Sequence, residues 1–302
     1  MTVGATSGAR TSFWRALGSA LRPRQWTKNV LVAAVPLAAG RLHEPQVLAQ
    51  TLVAFVSFCA VASATYLVND VLDADADRAH PVKQHRAVAR GDLTRPQAAT
   101  AAVVALAGGL VIAGAFARVE LVWTLLAYAA ATFAYSYWLK HEPVVELALL
   151  AAGFLLRAIA GGAATGIPVS PWFLIVAGFG SLFMAAGKRY SELVSRADDA
   201  AATRRSLAHY TPGYLRFVWG LAATVTVVGY CLWAFEVGSG QTGSVAWSAW
   251  SVAPFVLAVL RYGIDIDAGR AEAPEDVALR DRSLQVLALI WLVLFALGAA
   301  DV

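Results

Sequence analysis

The sequence predicts an all-α integral membrane protein, a bundle of nine transmembrane helices with functional loops capping one face, and three observations point there. Apolar residues make up 59% and charged residues 15% of the 302-residue chain, against roughly 45–50% and 25% in soluble domains. Mean hydropathy is +0.60. The apolar matter falls in blocks of about 18 to 25 residues, the length an α-helix needs to cross about 30 Å of hydrocarbon, and the bases gather on alternate connections.

The elements follow in order. Up to residue 27 the chain carries Arg10, Arg15, Arg22 and Arg24 among Trp14, Leu17 and Leu21, without the unbroken apolar core of a signal peptide. Residues 1–27 are therefore expected to form a basic amphipathic segment in the bilayer interface, a flexible basic tail being the alternative. Residues 28–302 form one nine-helix domain, with spans at roughly 28–41, 47–70, 97–117, 119–138, 144–165, 171–188, 213–235, 245–263 and 284–300. The first is short and holds Pro36, and the eighth is diluted by Ser and Gly. In the fifth, Gly153 and Gly161-Gly162 permit close helix packing. Arg157 lies in the same span, where an unpaired charge costs several kcal/mol, so it must face the interior, a cavity or an acid; a structural partner and a lipid phosphate fit it equally. Cys59 and Cys231 sit in apolar spans with no metal-ligand spacing and read as packing residues.

Nine spans divide the connections between two sides. The side of the N-terminus receives nearly all of the 24 Lys and Arg, in the tail and in the loops after spans two, four, six and eight, while the other side holds only Arg41 and Arg118. By the positive-inside rule the charged side is cytoplasmic, and the membrane is the plasma (inner) membrane. Most acids lie there too, so chemistry belongs to that face.

At the end of span two stands Asn69-Asp70-Val-Leu-Asp73-Ala-Asp75-Ala-Asp77. On a continuing helix Asp70, Asp73 and Asp77 recur at i, i+3 and i+7 on one face and Asp75 points elsewhere. Three like charges repel, and acids at a helix C-terminus oppose its dipole, so the placement favours a cation. Magnesium takes one or two carboxylates, water and phosphate oxygens, which suits a bridging ion; a solvated acidic helix end is the bland alternative. His80, Lys83, His85 and Arg86 follow, then Arg90. Lysine supplies a point charge and arginine a fork for phosphate oxygens, although such a loop also suits positive-inside anchoring. After span six comes Gly187-Lys188-Arg189-Tyr190-Ser191-Glu192, in which Lys188 and Glu192 form either an i, i+4 ion pair or part of a phosphate and metal site. Arg204, Arg205, His209 and Tyr210 add donors. Tyr135, Tyr137 and Lys140 close span four as belt residues or as part of the site, and the charged stretch from Arg261 through Glu275 to Asp281-Arg282 could close as a lid. No P-loop, dinucleotide-binding turn, serine-hydrolase elbow or zinc spacing occurs, and nothing points to nucleic acid.

The motif Asn69-Asp70-x-x-Asp73-x-x-x-Asp77 at the end of the second span resembles the first aspartate-rich motif of the UbiA superfamily of intramembrane prenyltransferases. A second acidic motif follows span six in that superfamily, whereas here Lys188-Arg189-Tyr190-x-Glu192 replaces most of its acids with bases. Together with Lys83-x-x-Arg86, Tyr135 to Lys140, Gly153 to Arg157 and the Pro274 to Arg282 loop, this departure resembles the branch that transfers phosphoribosyl groups to decaprenyl phosphate for the arabinose donor of mycobacterial-type cell walls. The resemblance implies a UbiA-type bundle, Mg²⁺ as cofactor, 5-phosphoribosyl 1-diphosphate as donor and a polyprenyl phosphate as acceptor, with a homo-oligomer allowed. It implies Asp73, Asp77, Lys83 and Arg86 as the catalytic set and Asp70, Asp73, Asp77 and Glu192 as metal ligands. It further implies Asn69, Asp70, Tyr135, Lys140, Arg157, Lys188, Arg189, Tyr190, Glu192 and Arg282 as substrate-binding residues. Two other readings stay open on the residues alone: an aromatic prenyltransferase using a polyprenyl diphosphate, and a transporter or scaffold without chemistry, although no inverted repeat is visible.

Overall fold

A computed structural model describes residues 12–195, 209–240 and 246–299, the side chains of residues 237–240, 275 and 299 excepted. Its regular elements are all helical. The described residues open with the short amphipathic α1 (Phe13–Ala20), which buries Ala16 and Ala20 while Trp14 stays exposed. A 3-10 segment, Pro23–Ala33, leads into α2 (Ala34–Ala38). Next come the long α3 (Pro45–Leu72), the short α4 (Ala74–Arg78) and α5 (Ala87–Arg90), and then α6 (Arg95–Phe116), α7 (Val119–Tyr137), α8 (Val145–Thr165), α9 (Pro171–Ser195) and α10 (Pro212–Gly240). The chain ends with α11 (Trp247–Trp250), α12 (Val252–Asp267), α13 (Pro274–Arg280) and α14 (Arg282–Ala299).

Among the described residues seven helices are long and apolar enough to cross a membrane, the seventh being α11 and α12 together over Trp247–Asp267. They match the second to eighth expected spans. The other two differ. The last, α14, is shorter but apolar. The first is no long helix: Pro23, Pro36 and the polar run Gln25-Trp-Thr27-Lys28-Asn29 give it a 3-10 coil and one turn and a half of α-helix, because proline withholds an N–H and Asn29 sends its side chain to another helix.

Local chemistry sets the helix ends. Pro45 opens α3 at a position where its missing N–H costs nothing. A capping box starts α6: the Gln97 backbone N–H donates to Thr94 Oγ1 at 3.4 Å, and the Thr94 backbone N–H donates to Gln97 Oε1 at 3.0 Å. Gly166, at φ 73°, closes α8 in the left-handed conformation.

The helices pack as two halves. In the first, α3 lies against α6 and α7, and α7 against α8, around Phe58, Leu121, Leu125 and Tyr128. In the second, α9, α10 and α12 meet around Phe183, Leu215, Tyr262 and Ile266. The α8–α9 contact joins them, and the 3-10 segment lies on α8 and α3. Gly161 makes that fit: a Cβ there would stand 1.9 Å from the Val32 carbonyl oxygen.

Arg157 is buried in α8. Its Nε donates to Asn29 Oδ1 at 2.8 Å, Nη1 to the Gly153 carbonyl at 2.6 Å and Nη2 to Tyr128 Oη at 2.8 Å, with the guanidinium 4.7 Å from the Tyr128 ring centre. The charge is satisfied by protein groups and ties α8 to α7 and to the 3-10 segment, as a buried charge requires.

Substituting Gly161→Ala forces its methyl into a backbone carbonyl, so the thermal midpoint in detergent should fall by an amount corresponding to at least about 1–3 kcal/mol. Gly108→Ala, where nothing lies within 4 Å, should leave the midpoint unchanged or slightly raised in the same thermal scan.

Candidate active site

Ion pairs gather the helix ends into one polar face. The ends of α3, α7, α9 and α12 meet the starts of α8, α10 and α14 there. The linking pairs are Lys140 to Asp73, Arg189 to Glu146, Arg216 to Asp267 at 3.0 Å and Arg261 to Asp281 at 2.7 Å. At the opposite end Arg41 pairs with Glu44 and Arg118 with Glu120, both exposed and local in sequence.

The acidic motif is bent. α3 stops at Leu72, and Asp73 serves as its C-cap and as the N-cap of α4, so one continuous helical face is replaced by a corner. The corner divides the acids. Asp70 and Asp77 are buried and share Arg86, whose Nη1 donates to Asp77 Oδ2 at 2.7 Å and to Asp70 Oδ1 at 3.3 Å. Asp70 also meets Arg22, and Lys83 Nζ stands 4.0 Å from Asp77 Oδ1. Asp73 turns to Lys140, with Nζ 2.9 Å from Oδ1. Asp75 points away, bound by Arg78 at 2.5 Å and Arg95 at 2.7 Å, and the Arg95 hydrogen bond holds its carboxyl below the ordinary range. His80 shapes the intervening loop, its Nδ1 accepting from the backbone N–H of Val82 at 3.2 Å and of Lys83 at 3.3 Å. Asn69 lies half-buried beside Asp70.

This first cluster holds three carboxylates and four cations, Arg22, Lys83, Arg86 and Lys140, each with a side chain only 25–29% exposed. A surplus of positive charge in a partly desolvated place suits an anion.

A second cluster lies across α7. Arg189 is buried between Glu146 and Glu192, and its Nη2 donates to Tyr135 Oη at 3.3 Å. The other oxygen of Glu192 stands 4.0 Å from Lys188 Nζ. Arg189 is thus paired with a carboxylate on each side, and Glu192, with a cation at each oxygen, stands in this second cluster. Tyr190 accepts at its hydroxyl from Arg216 Nη2 at 2.7 Å. Arg282 is exposed at the first residue of α14, with no contact to either cluster among the described residues. Arg10, Arg204 and Arg205 lie outside the described residues.

Two residues of the clusters, Arg22 and Glu146, lie outside the sequence motifs. Arg22 belongs to the basic N-terminal segment, yet it holds the left-handed conformation at φ 55° and reaches Asp70 over the Tyr66 ring. Backbone strain of this kind collects at functional sites. Glu146 is fully buried. An acid heading an apolar span is the signal that could have found it.

Among the described residues no three His, Cys, Asp or Glu side chains converge as a closed metal cage. Asp70 and Asp77 do converge on one positive group, Arg86, and two carboxylates aimed at a common cation are the donor set of a magnesium ion that takes its remaining ligands from water and phosphate. The residues fit such an ion. An apolar groove of about 420 Å³ between α8, α9 and α10 starts beside the second cluster, at Leu147, and runs along Ala151, Phe179, Leu182 and Val218.

Comparison with known proteins places this geometry in a family. The profile of the UbiA prenyltransferase family matches residues 30–278. A decaprenyl-phosphate phosphoribosyltransferase of Mycobacterium tuberculosis is 51% identical over 286 residues, covering 93% of this chain and 92% of that protein. One from Corynebacterium glutamicum is 48% identical over 276 residues, covering 90% and 83%. A UbiA homolog from Archaeoglobus fulgidus, solved bound to DMAPP and Mg²⁺, shares the fold with a TM-score of 0.67 at 17% identity, over 96% of this chain and 99% of that one. The apolar helices, the acidic corner and these relatives lead to one conclusion: the chain is a multi-pass membrane protein belonging to the UbiA prenyltransferase family.

Proposed function

We propose that this protein transfers the 5-phosphoribosyl group from 5-phosphoribosyl 1-diphosphate to decaprenyl phosphate, releasing diphosphate, in the supply of a cell-wall arabinan precursor. The names of the relatives support the reaction, and one observation of the site carries it: four cations surround three carboxylates where the long helices end. A donor with a diphosphate at one end and a phosphate at the other needs that excess of positive charge.

Asp70 and Asp77, with Asp73 and Asn69 beside them, would hold a magnesium ion, which would supply neutralisation of the diphosphate. Arg86 and Lys83 leave their carboxylates for the diphosphate oxygens and follow the charge as the bond from the anomeric carbon to the diphosphate oxygen breaks. The leaving group takes the electron pair. Lys140 and Arg22 complete the positive wall, and Lys188 receives the ribose phosphate. An oxygen of the lipid phosphate forms the new bond to the anomeric carbon. It is already anionic near neutral pH, so no side chain has to remove a proton, and the chain's part is orientation and electrostatics. The near end of the polyprenyl tail lies in the groove along α8, α9 and α10.

The proposal includes nine crossings in a plasma membrane, with the polar face cytoplasmic, residues 1–27 as an interfacial segment and residues 28–302 as the catalytic unit. Beyond residue 27 the rest of the 3-10 segment to Ala33, at about 2 Å per residue, and α2, at about 1.5 Å per residue, rise about 20 Å.

Detergent-solubilised protein given radiolabelled phosphoribosyl diphosphate, decaprenyl phosphate and magnesium should yield label extractable into organic solvent. Asp73→Asn and Asp77→Asn should lower that rate by roughly 100-fold or more, and Asp75→Asn should leave it within about twofold, since exposed ion pairs contribute little. Product from a prenyl diphosphate and an aromatic acid, with none from phosphoribosyl diphosphate, would overturn the assignment.

Arg86→Met leaves Asp70 and Asp77 without their shared cation. In EDTA its thermal midpoint should fall by several degrees, in line with a lost, partly buried pair. Millimolar magnesium should raise that midpoint more than it raises the wild type's; an equal shift in the two proteins counts against an ion between these carboxylates.

A further inference from the structure

We infer that Glu146 is a positioning residue for the donor site, acting through Arg189 and Glu192 on Lys188; this deepens the proposed transfer reaction and rests on it. The four side chains alternate in charge and are increasingly exposed from core to surface: Glu146 at 0%, Arg189 at 2%, Glu192 at 8% and Lys188 at 37%. Each ionic contact fixes the next. Arg189 meets Glu146 with one terminal nitrogen and Glu192 with the other, and the remaining Glu192 oxygen stands 4.0 Å from Lys188 Nζ.

Stability alone accounts poorly for such a chain. A buried ion pair recovers roughly its desolvation cost, and well-packed apolar residues often serve as well. What the charges add is orientation. With Glu146 in place, Arg189 is pulled from behind, so only one oxygen of Glu192 is drawn inward and the other faces Lys188. Without that charge, Arg189 turns both of its donors to Glu192, and Lys188 loses the partner that aims it.

The backbone around Glu146 is built to hold it. Val144, two residues earlier, takes φ 66°, a conformation that a β-branched residue adopts only under constraint. Its N–H donates to Tyr210 Oη at 2.7 Å, and burial pushes the Tyr210 phenol up, keeping it a neutral hydroxyl. The same connection carries Lys140, which reaches Asp73. One short stretch from the end of α7 into the first turn of α8 therefore touches the first cluster through Lys140 and the second through Glu146.

The test is a double-mutant cycle on the full-length protein, with Glu146→Gln, Lys188→Met and the two combined, measured for kcat and for KM of phosphoribosyl diphosphate. Glu146→Gln should raise KM about tenfold and change kcat less than threefold in the wild-type background, and should change KM less than twofold in the Lys188→Met background. Glu146→Asp, which keeps the charge on a shorter side chain, should raise KM only about threefold. An unchanged KM, or an equal KM increase in both backgrounds, overturns the inference. If Glu146→Gln does not fold, Glu146→Asp stands in its place, with a KM increase of about threefold expected, lost in the Lys188→Met background; a wild-type KM overturns it. A wild-type protein that forms no labelled lipid removes the reaction itself and this inference with it, whereas an active wild type beside an indifferent Glu146→Gln removes the inference alone.

Discussion

A charge brought to the border of a bilayer is tolerated only beside its opposite, and the polar end of this bundle is arranged around that requirement. Asp70 answers to Arg22 and Arg86, Asp73 to Lys140, Asp77 to Arg86 and Lys83, and Glu146 to Arg189. Most of these pairs join different elements, so they determine which helix ends meet. Exposed pairs such as Arg41 with Glu44 contribute little. Buried ones act as constraints, because removing one member strands the other away from water.

The apolar interior meets the same requirement once, at Arg157. Packing and polarity work together there: Gly161 lets the 3-10 segment lie against α8, and the close approach brings Asn29 within reach of the buried guanidinium. The segment so held begins just after Arg22, and Trp26 Nε1 donates to Ser63 Oγ at 3.1 Å while Ser63 Oγ donates to the Leu21 carbonyl at 2.9 Å. A fixed 3-10 coil thus delivers a strained arginine to an aspartate on another helix. Packing in the hydrocarbon region and geometry at the polar face are one structure.

The cations that stabilise the acids are also suited to a polyanionic substrate. Their side chains are a quarter to two-fifths exposed, enough to exchange a carboxylate for a phosphate oxygen, whereas Arg189 is too deeply buried to do so. The charges therefore lie in two layers, an inner one that is closed off and paired and an outer one that is partly open to solvent. This division fits chemistry in which the nucleophile already carries its charge and the barrier is lowered by placement and field.

Most of the helices were legible from apolar length alone, because a backbone in hydrocarbon must satisfy its own hydrogen bonds and leaves few alternatives to a helix. The acidic motif, the bases after it and the i, i+4 pair of Lys188 and Glu192 were legible too, since their spacing is local. The first span misled, because its residues are held by Arg157 more than 120 positions away, and no propensity records such a partner. Arg157, Arg189, Tyr190 and Glu192 had the right residue types for a phosphate or metal site, but the partners they hold, Asn29 and Tyr128, Glu146, Arg216 and Lys188, were not legible beyond the local pair. Arg22 and Glu146 entered the site from segments without a motif. The sequence by itself determined the medium, the helices and the kind of charge at each end, which are sums over neighbouring residues. Only the tertiary structure decided which acid meets which base, because in a low-dielectric setting that choice depends on distances between helices far apart in the chain.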